Sequence, residues 1–238
     1  MDDESFWEDE EWYKSSPTSF NLEDQIFHKL SFITHHLPQY SRLILIGHSV
    51  GSYIILQMLK RYHNKERILK SYLLFPTIER ISSSRSGNVW AFISYILFWP
   101  FVLSTWAFSL LPWSVQKYSI GWFLWLKHNA YHPTTIDATH AFLTYTSVSN
   151  ILQVGRDIFH VDNLDKDCIK QHLEKLVFYY GACDPWVPRI CYEDMKARFP
   201  SGNINLCQHN IKHAFVLDKS ECVAQMVWNW MRHELFSL

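Results

Sequence analysis

The apolar positions of the chain alternate between helical spacing and short continuous runs, a pattern typical of a parallel α/β sheet. Behind Asn21, a candidate N-cap, apolar residues recur at every third or fourth position until Pro38. The predicted strands are Leu43–Ile46, Ile68–Phe75, Leu176–Tyr180 and Ile204–Cys207, and the predicted helices are Asn21–Leu37, Tyr53–His63, Tyr192–Phe199 and Ser220–Leu235. The first two strands are apolar on both faces and a helix joins them, which predicts a βαβ unit.

One long segment departs from this alternation. No charged residue occurs between Arg85 and Lys117, and Val89–Leu111 is almost wholly apolar and aromatic. Three interpretations fit this composition: helices inserted into a lipid interface, a buried cap over an α/β core, and a membrane span. We expect Pro100 to break the segment near its middle. Six tryptophans are scattered through residues 90–125, and this spread favours interfacial helices.

A tight turn is predicted directly after the first strand, at Gly47-His48-Ser49-Val50-Gly51. The G-x-S-x-G pattern between a strand and a helix is the form of a nucleophile elbow, in which the serine has unusual backbone dihedrals. We expect the positions two residues to either side of the serine to be nearly free of side chains, as glycine allows. The chain contains only 7 glycines, so this spacing is informative.

A serine nucleophile needs a base to remove its proton and a carboxylate to orient that base. In elbow-type hydrolases the chain order is serine, acid, histidine. Asp184 follows a predicted strand and His213 follows the next one, so both are expected at the sheet edge that carries Ser49. We predict Ser49 as nucleophile, Asp184 as acid and His213 as base, with the Val50 N–H as an oxyanion donor.

Other acids and histidines fit these roles less well. We interpret Asp194 as a helix-face residue and His48 as elbow packing or a substrate contact. His209 precedes His213 by four residues but lacks its apolar neighbours. Solvated positions are expected for four aspartates of a polar connection, namely Asp157, Asp162, Asp165 and Asp167.

Charge and cysteine content limit the partners. The first eleven residues carry seven acids and no base, which leaves about +6 on the rest of a chain whose net charge is −1. A mildly basic, tryptophan-rich body suits an anionic lipid surface. Five cysteines without C-x-x-C spacing indicate reduced thiols in a cytosol-facing protein, and the acidic start is unlike a signal peptide. We predict no metal, no cofactor and no nucleic-acid partner.

The length of 238 residues fits one well-cored domain. We expect residues 1–20 to form an acidic disordered tail. Residues 21–238 are then the α/β domain, with an apolar cap or membrane-docking insert at about 81–170.

Several segments together resemble the lipid droplet-associated hydrolase family, whose members are serine hydrolases with the α/β-hydrolase fold. The resemblance covers roughly Asn21 to the C-terminus, and Phe75–Arg80 is specific to this family beyond the general fold. The segments are Leu43–Tyr53, Leu56–Arg61, Leu73–Arg80, Phe178–Gly181, Asp184–Trp186 and His213–Phe215.

This resemblance implies Ser49 as nucleophile, Asp184 as acid and His213 as base. It also implies residence on lipid droplets and on the cytosolic face of the endoplasmic reticulum, with Val89–Trp125 as the targeting element. The implied activity is an esterase acting on cholesteryl esters, with a role in cholesterol and neutral-lipid homeostasis.

The chain departs from the family ahead of the elbow. Family members have further strands and a glycine-rich loop there, whereas Gly47 is the first glycine of this chain. We therefore expect an N-terminally truncated parallel sheet with an exposed edge strand, and the second oxyanion donor has no candidate in the sequence. The alternative function is a catalytically impaired, droplet-binding or regulatory protein that keeps this fold.

Overall fold

A computed structural model describes residues 21–128, 133–161 and 164–236 of the chain. The predicted acidic tail, residues 1–20, lies outside the described residues. Within them, four strands form one sheet in the order β1-β2-β3-β4, and each neighbouring pair is parallel. The strands are β1 Leu43–His48, β2 Ile68–Leu74, β3 Leu176–Tyr180 and β4 Asn203–Leu206. The predicted parallel α/β sheet is confirmed.

The helices connect these strands and cover the sheet. In the described part of the chain they are α1 Leu22–Ser31, α2 Val50–Arg61, α3 Arg85–Ile96, α4 Phe98–Ser109, α5 Trp113–His128, α6 Pro133–Phe142, α7 Tyr145–Phe159, α8 Lys166–Gln171, α9 Arg189–Arg198 and α10 Ser220–Leu235. A capping box formed by Asn21 and Asp24 starts α1. α9 begins three residues before its predicted start, directly after Pro188, and Arg189 of its first turn pairs with Glu193.

The two faces of the sheet bury alternate residues. Leu73 and Phe178 belong to the larger core, beneath α1, α2 and α9, whereas Leu74 and Tyr179 pack against α10. All five residues of β3 are buried. β1 lies at the sheet edge, and the Ile46 side chain is 50% exposed. Although β1 is apolar on both faces, Ile46 lies on a face that no described helix covers.

In the described residues between β2 and β3, where the sequence places the apolar insert, the α-helices are α3 to α8. The break in its apolar segment falls at Leu97, not at Pro100 as expected. Pro100 stands in the first turn of α4, where its missing N–H costs nothing. Continuing α3 through it would instead set the proline ring against the carbonyl of Ile96, four residues earlier.

The insert leaves many large apolar side chains in contact with solvent. Val89, Trp99, Trp106 and Trp122 are each more than half exposed, so these residues do not form a buried cap. Among the described residues no single helix is long and apolar enough to cross a membrane. Residues 86–96 and 98–109 pass that test only as a pair, bent by 79°.

Candidate active site

The backbone at Ser49 forms the tight turn that the sequence predicts. Ser49 lies between the end of β1 and the first residue of α2, with φ 55° and ψ −122°. Its N–H donates to the Leu74 carbonyl at 3.0 Å, and its carbonyl accepts from the Ser52 N–H at 2.9 Å. A non-glycine residue at such dihedrals costs on the order of 1–3 kcal/mol, which the surrounding hydrogen bonds must offset.

The two glycines of the elbow have different roles. A Cβ at Gly47 would lie 2.6 Å from the Gly51 carbonyl oxygen and 2.7 Å from Ile55 Cδ1, whereas a Cβ at Gly51 would have no neighbour within 4 Å. The expectation that both positions must lack a side chain is therefore wrong for Gly51. Only Gly47 is required by the close approach of α2 to β1.

We expect Gly47→Ala to lower the free energy of unfolding by about 1–3 kcal/mol, because the methyl group meets backbone atoms that cannot move aside. Gly51→Ala is the matched control, and it should be neutral or stabilising by up to about 1 kcal/mol, since alanine favours the helix. Urea unfolding of the two variants measures this difference. Equal loss of stability in both variants would contradict the conclusion that only Gly47 must lack a side chain.

The structure brings the three predicted site residues together. His213 Nε2 lies 2.9 Å from Ser49 Oγ, and His213 Nδ1 lies 2.6 Å from Asp184 Oδ2. Asp184 and His213 are 6% and 9% exposed. The second carboxylate oxygen of Asp184 accepts from the N–H groups of Trp186, at 2.8 Å, and Val187, at 3.2 Å. These bonds fix the orientation of the acid, and the acid fixes the orientation of the imidazole.

The meeting of these residues follows from the parallel register. His48 at the end of β1 is level with Leu74 of β2, and Leu74 is level with Tyr179 of β3. Asp184 and His213 follow β3 and β4, so their loops leave the sheet at the same edge as the elbow. Val50 is the first residue of α2, and its N–H is therefore one of the helix-start donors without an intrahelical acceptor.

Thr77 is a neighbour of the serine that the sequence reasoning did not single out. Its hydroxyl lies 3.4 Å from Ser49 Oγ, and its N–H donates to the Ser49 carbonyl at 3.4 Å. Phe75 precedes it with a φ of 49°, which turns the chain back over the elbow. The distinctive Phe75–Arg80 segment was the signal that could have located it.

Two of the four aspartates expected at solvated positions have structural partners instead, whereas Asp167 is exposed as expected. Asp157 accepts from the N–H of Leu22 at the start of α1. Asp165 caps α8 and pairs with Lys60. On α9, Asp194 binds Arg80. Asp162 lies outside the described residues.

His48 contacts the loop that carries His213. Its Nε2 lies 2.9 Å from the His213 carbonyl oxygen, so this nitrogen donates, and its ring packs 4.6 Å from the Phe215 ring centroid. Burial, and then the neighbouring His213, lower the pKa of His48 to about 4. A neutral imidazole is needed to pack among these rings, which supports the elbow-packing interpretation of His48.

This pKa predicts a pH dependence of stability. The unfolded state binds a proton at His48 near pH 6.5 and the folded state only near pH 4, so stability conferred by neutral His48 is lost as the pH falls between these values. We expect His48→Gln to lose less stability than the wild type between pH 7 and pH 4.5. Urea midpoints at both pH values measure this, and parallel losses in the two proteins would refute it.

The remaining histidine, cysteine and acidic side chains were compared with the requirements of a metal site. In the described ranges no group of three or more histidine, cysteine or acidic side chains is arranged to hold a metal ion. All five cysteines are free thiols, and three of them are buried.

A parallel sheet with a serine on the turn after one strand, and an acid and a histidine behind the next strands, has the α/β-hydrolase fold. Solved structures of this fold agree. A carboxylesterase of Nitrososphaera gargenis matches with a TM-score of 0.61 at 11% identity, over 94% of this chain and 76% of its own. An esterase of Thermogutta terrifontis matches with a TM-score of 0.55 at 14% identity, over 90% and 73%. At these identities the likeness shows the fold alone.

The chain belongs to the lipid droplet-associated hydrolase family, whose model matches residues 4–216. The human lipid droplet-associated hydrolase is 38% identical over 91% of this chain and 66% of its own length. The Gallus gallus protein is 36% identical over 92% and 67%. The chain therefore spans about two thirds of the length of these curated relatives.

Proposed function

We propose that this chain is a serine hydrolase of lipid esters that works at the surface of lipid droplets, with cholesteryl esters as the substrate class. The observation that carries the proposal is the hydrogen-bonded series Ser49–His213–Asp184, with its 2.9 Å and 2.6 Å contacts. Membership of the lipid droplet-associated hydrolase family supports the droplet location. The cytosolic face of the endoplasmic reticulum is the second proposed location.

The proposed reaction uses Ser49 as nucleophile, His213 as the base and acid of successive steps, and Asp184 as its partner. Ser49 Oγ attacks the ester carbonyl while His213 Nε2 takes its proton, and Asp184 stabilises the imidazolium that forms. The Val50 N–H donates to the oxyanion of the tetrahedral intermediate. The intermediate collapses to an acyl-Ser49 ester as His213 protonates the departing alcohol. Water, activated by the same histidine, then releases the fatty acid.

The exposed apolar face of α3, α4 and α5 is the proposed docking surface, within Val89–Trp125. Tryptophans and aliphatic side chains at these positions suit the boundary between lipid acyl chains and water. Each of these side chains that enters a monolayer removes apolar surface from water, which stabilises the docked state.

Hydrolysis of emulsified cholesteryl oleate by wild-type chain and two serine variants tests the function. Ser49→Ala should release no fatty acid above background. Ser201→Ala, at an exposed turn far from the elbow in sequence, should equal the wild type. Wild-type activity that survives Ser49→Ala would overturn the proposal.

The alternative function, a droplet-binding protein with impaired catalysis, is favoured by the extent of the exposed apolar face. It predicts that wild type and Ser49→Ala bind artificial droplets equally while neither releases fatty acid. Flotation of the protein with phospholipid-coated triolein droplets, run beside the hydrolysis assay, separates the two functions.

A further inference from the structure

A groove of about 330 Å³ lies between the start of α3 and the loop that follows Asp184. Two tryptophans form most of its walls, and a single hydroxyl is present. The lining residues are Ser86, Val89, Trp90, Pro185 and Trp186. None of these described lining residues is charged, so the groove offers nothing to neutralise a carboxylate or a phosphate.

One wall of the groove adjoins the reacting groups. The Trp186 ring centroid lies 5.9 Å from that of His213, and the Trp186 N–H donates to Asp184. The Trp186 wall of the groove is therefore the neighbour of His213, whose Nε2 lies 2.9 Å from Ser49 Oγ.

The opposite wall belongs to the exposed apolar insert. Val89 is 59% exposed, so the groove continues onto the apolar face of α3. The Trp90 ring meets that of Trp186 edge-on at 6.2 Å, and Trp90 is supported from behind by Gly155, where an added Cβ would lie 2.8 Å from the indole nitrogen. The walls are joined by the Ser86 N–H, which donates to the Pro185 carbonyl at 3.2 Å.

We infer that this groove binds the acyl chain of the lipid ester whose carbonyl Ser49 attacks, and that Trp90 and Trp186 determine which chain lengths are accepted. This inference rests on the proposed function. An apolar groove that runs from an exposed apolar surface to Trp186, the neighbour of His213, removes part of a hydrocarbon chain from water beside the catalytic residues. Its volume is at the lower end of small-molecule sites, which suits one chain. Each methylene that enters should raise kcat/KM by about fourfold.

Photocrosslinking tests the groove without requiring turnover. The probe is a medium-chain fatty acid with a terminal diazirine, used on the Ser49→Ala chain and mapped by peptide mass spectrometry. Adducts are expected at Val89, Trp90 or Trp186, and excess octanoate should compete for them. Val89→Trp fills the groove mouth from an exposed position and should remove these adducts. The matched control Leu103→Trp introduces the same side chain at an exposed apolar position on α4 and should leave these adducts in place.

Turnover of soluble p-nitrophenyl esters supplies the second readout. Val89→Trp should lower the ratio of octanoate to acetate kcat/KM by about tenfold, while Leu103→Trp leaves it unchanged. A ratio unaffected by Val89→Trp, or adducts no denser in the groove than on α4, would overturn the inference. Groove adducts in a wild-type chain without turnover would uphold the groove and refute the proposed function. Turnover without groove adducts would refute the groove as the acyl-chain site and uphold the proposed function.

Discussion

Asp184→Asn is expected to slow the reaction of Ser49 by about 10⁴-fold while leaving the fold intact. Asparagine can keep the oxygen that accepts from the N–H groups of Trp186 and Val187. The amide nitrogen of the asparagine then donates a hydrogen bond to His213 Nδ1, whereas the carboxylate accepted one from this nitrogen. The imidazole proton must move to Nε2, and that nitrogen can no longer accept the proton of Ser49.

The second-order rate of labelling by a fluorophosphonate measures this effect, since it needs only an activated serine. Asp167→Asn, on an exposed position of α8, is the control and should label at the wild-type rate. Circular dichroism and thermal unfolding show whether Asp184→Asn stays folded. A folded Asp184→Asn that labels within about tenfold of wild type would show that Asp184 does not orient the base.

Arg67→Met is expected to have the largest effect on stability, about 3–5 kcal/mol. Arg67 is 6% exposed and stands in the turn before β2. Its guanidinium donates to acceptors at the C-terminal end of α2 and in the segment between α1 and β1. These acceptors are the Tyr62 hydroxyl at 2.6 Å, the carbonyls of Pro38 at 2.6 Å, Ser41 at 3.0 Å and Ile33 at 3.4 Å, and Gln39 Oε1 at 3.3 Å.

Methionine fills a similar volume but removes the donor from two buried hydrogen bonds, those to the Ile33 carbonyl and the Tyr62 hydroxyl, and from three part-buried ones. A buried acceptor left without a donor carries its full desolvation cost. The melting temperature should fall by about 10 °C. Arg42→Met, at an exposed position one residue before β1, is the matched control and should change it little. Equal melting temperatures for the two variants would show that the hydrogen bonds of Arg67 do not stabilise the fold.

The elbow could be predicted because its determinants are local. An apolar run, the G-x-S-x-G spacing and a helix-forming segment lie within twenty residues, and the close approach that requires Gly47 is between adjacent elements. Asp184 and His213 were predictable from chain order and strand ends, because parallel strands deliver their following loops to one edge.

The features that the sequence did not predict depend on distant parts of the chain. The exposure of Ile46 depends on whether a helix covers one face of β1, and no local pattern encodes that. The contact of Thr77 with Ser49 depends on the left-handed turn at Phe75. Arg67 looks like an ordinary surface arginine until the segment 26 to 34 residues earlier folds around it.

Mass-spectrometric mapping of a fluorophosphonate adduct on the purified wild-type chain tests the central claim most directly. The account predicts one major adduct, on the peptide that contains Ser49, and its loss in Ser49→Ala but not in Ser201→Ala. No adduct at all, or a major adduct on another serine that persists in Ser49→Ala, would contradict the assignment of Ser49 as the nucleophile.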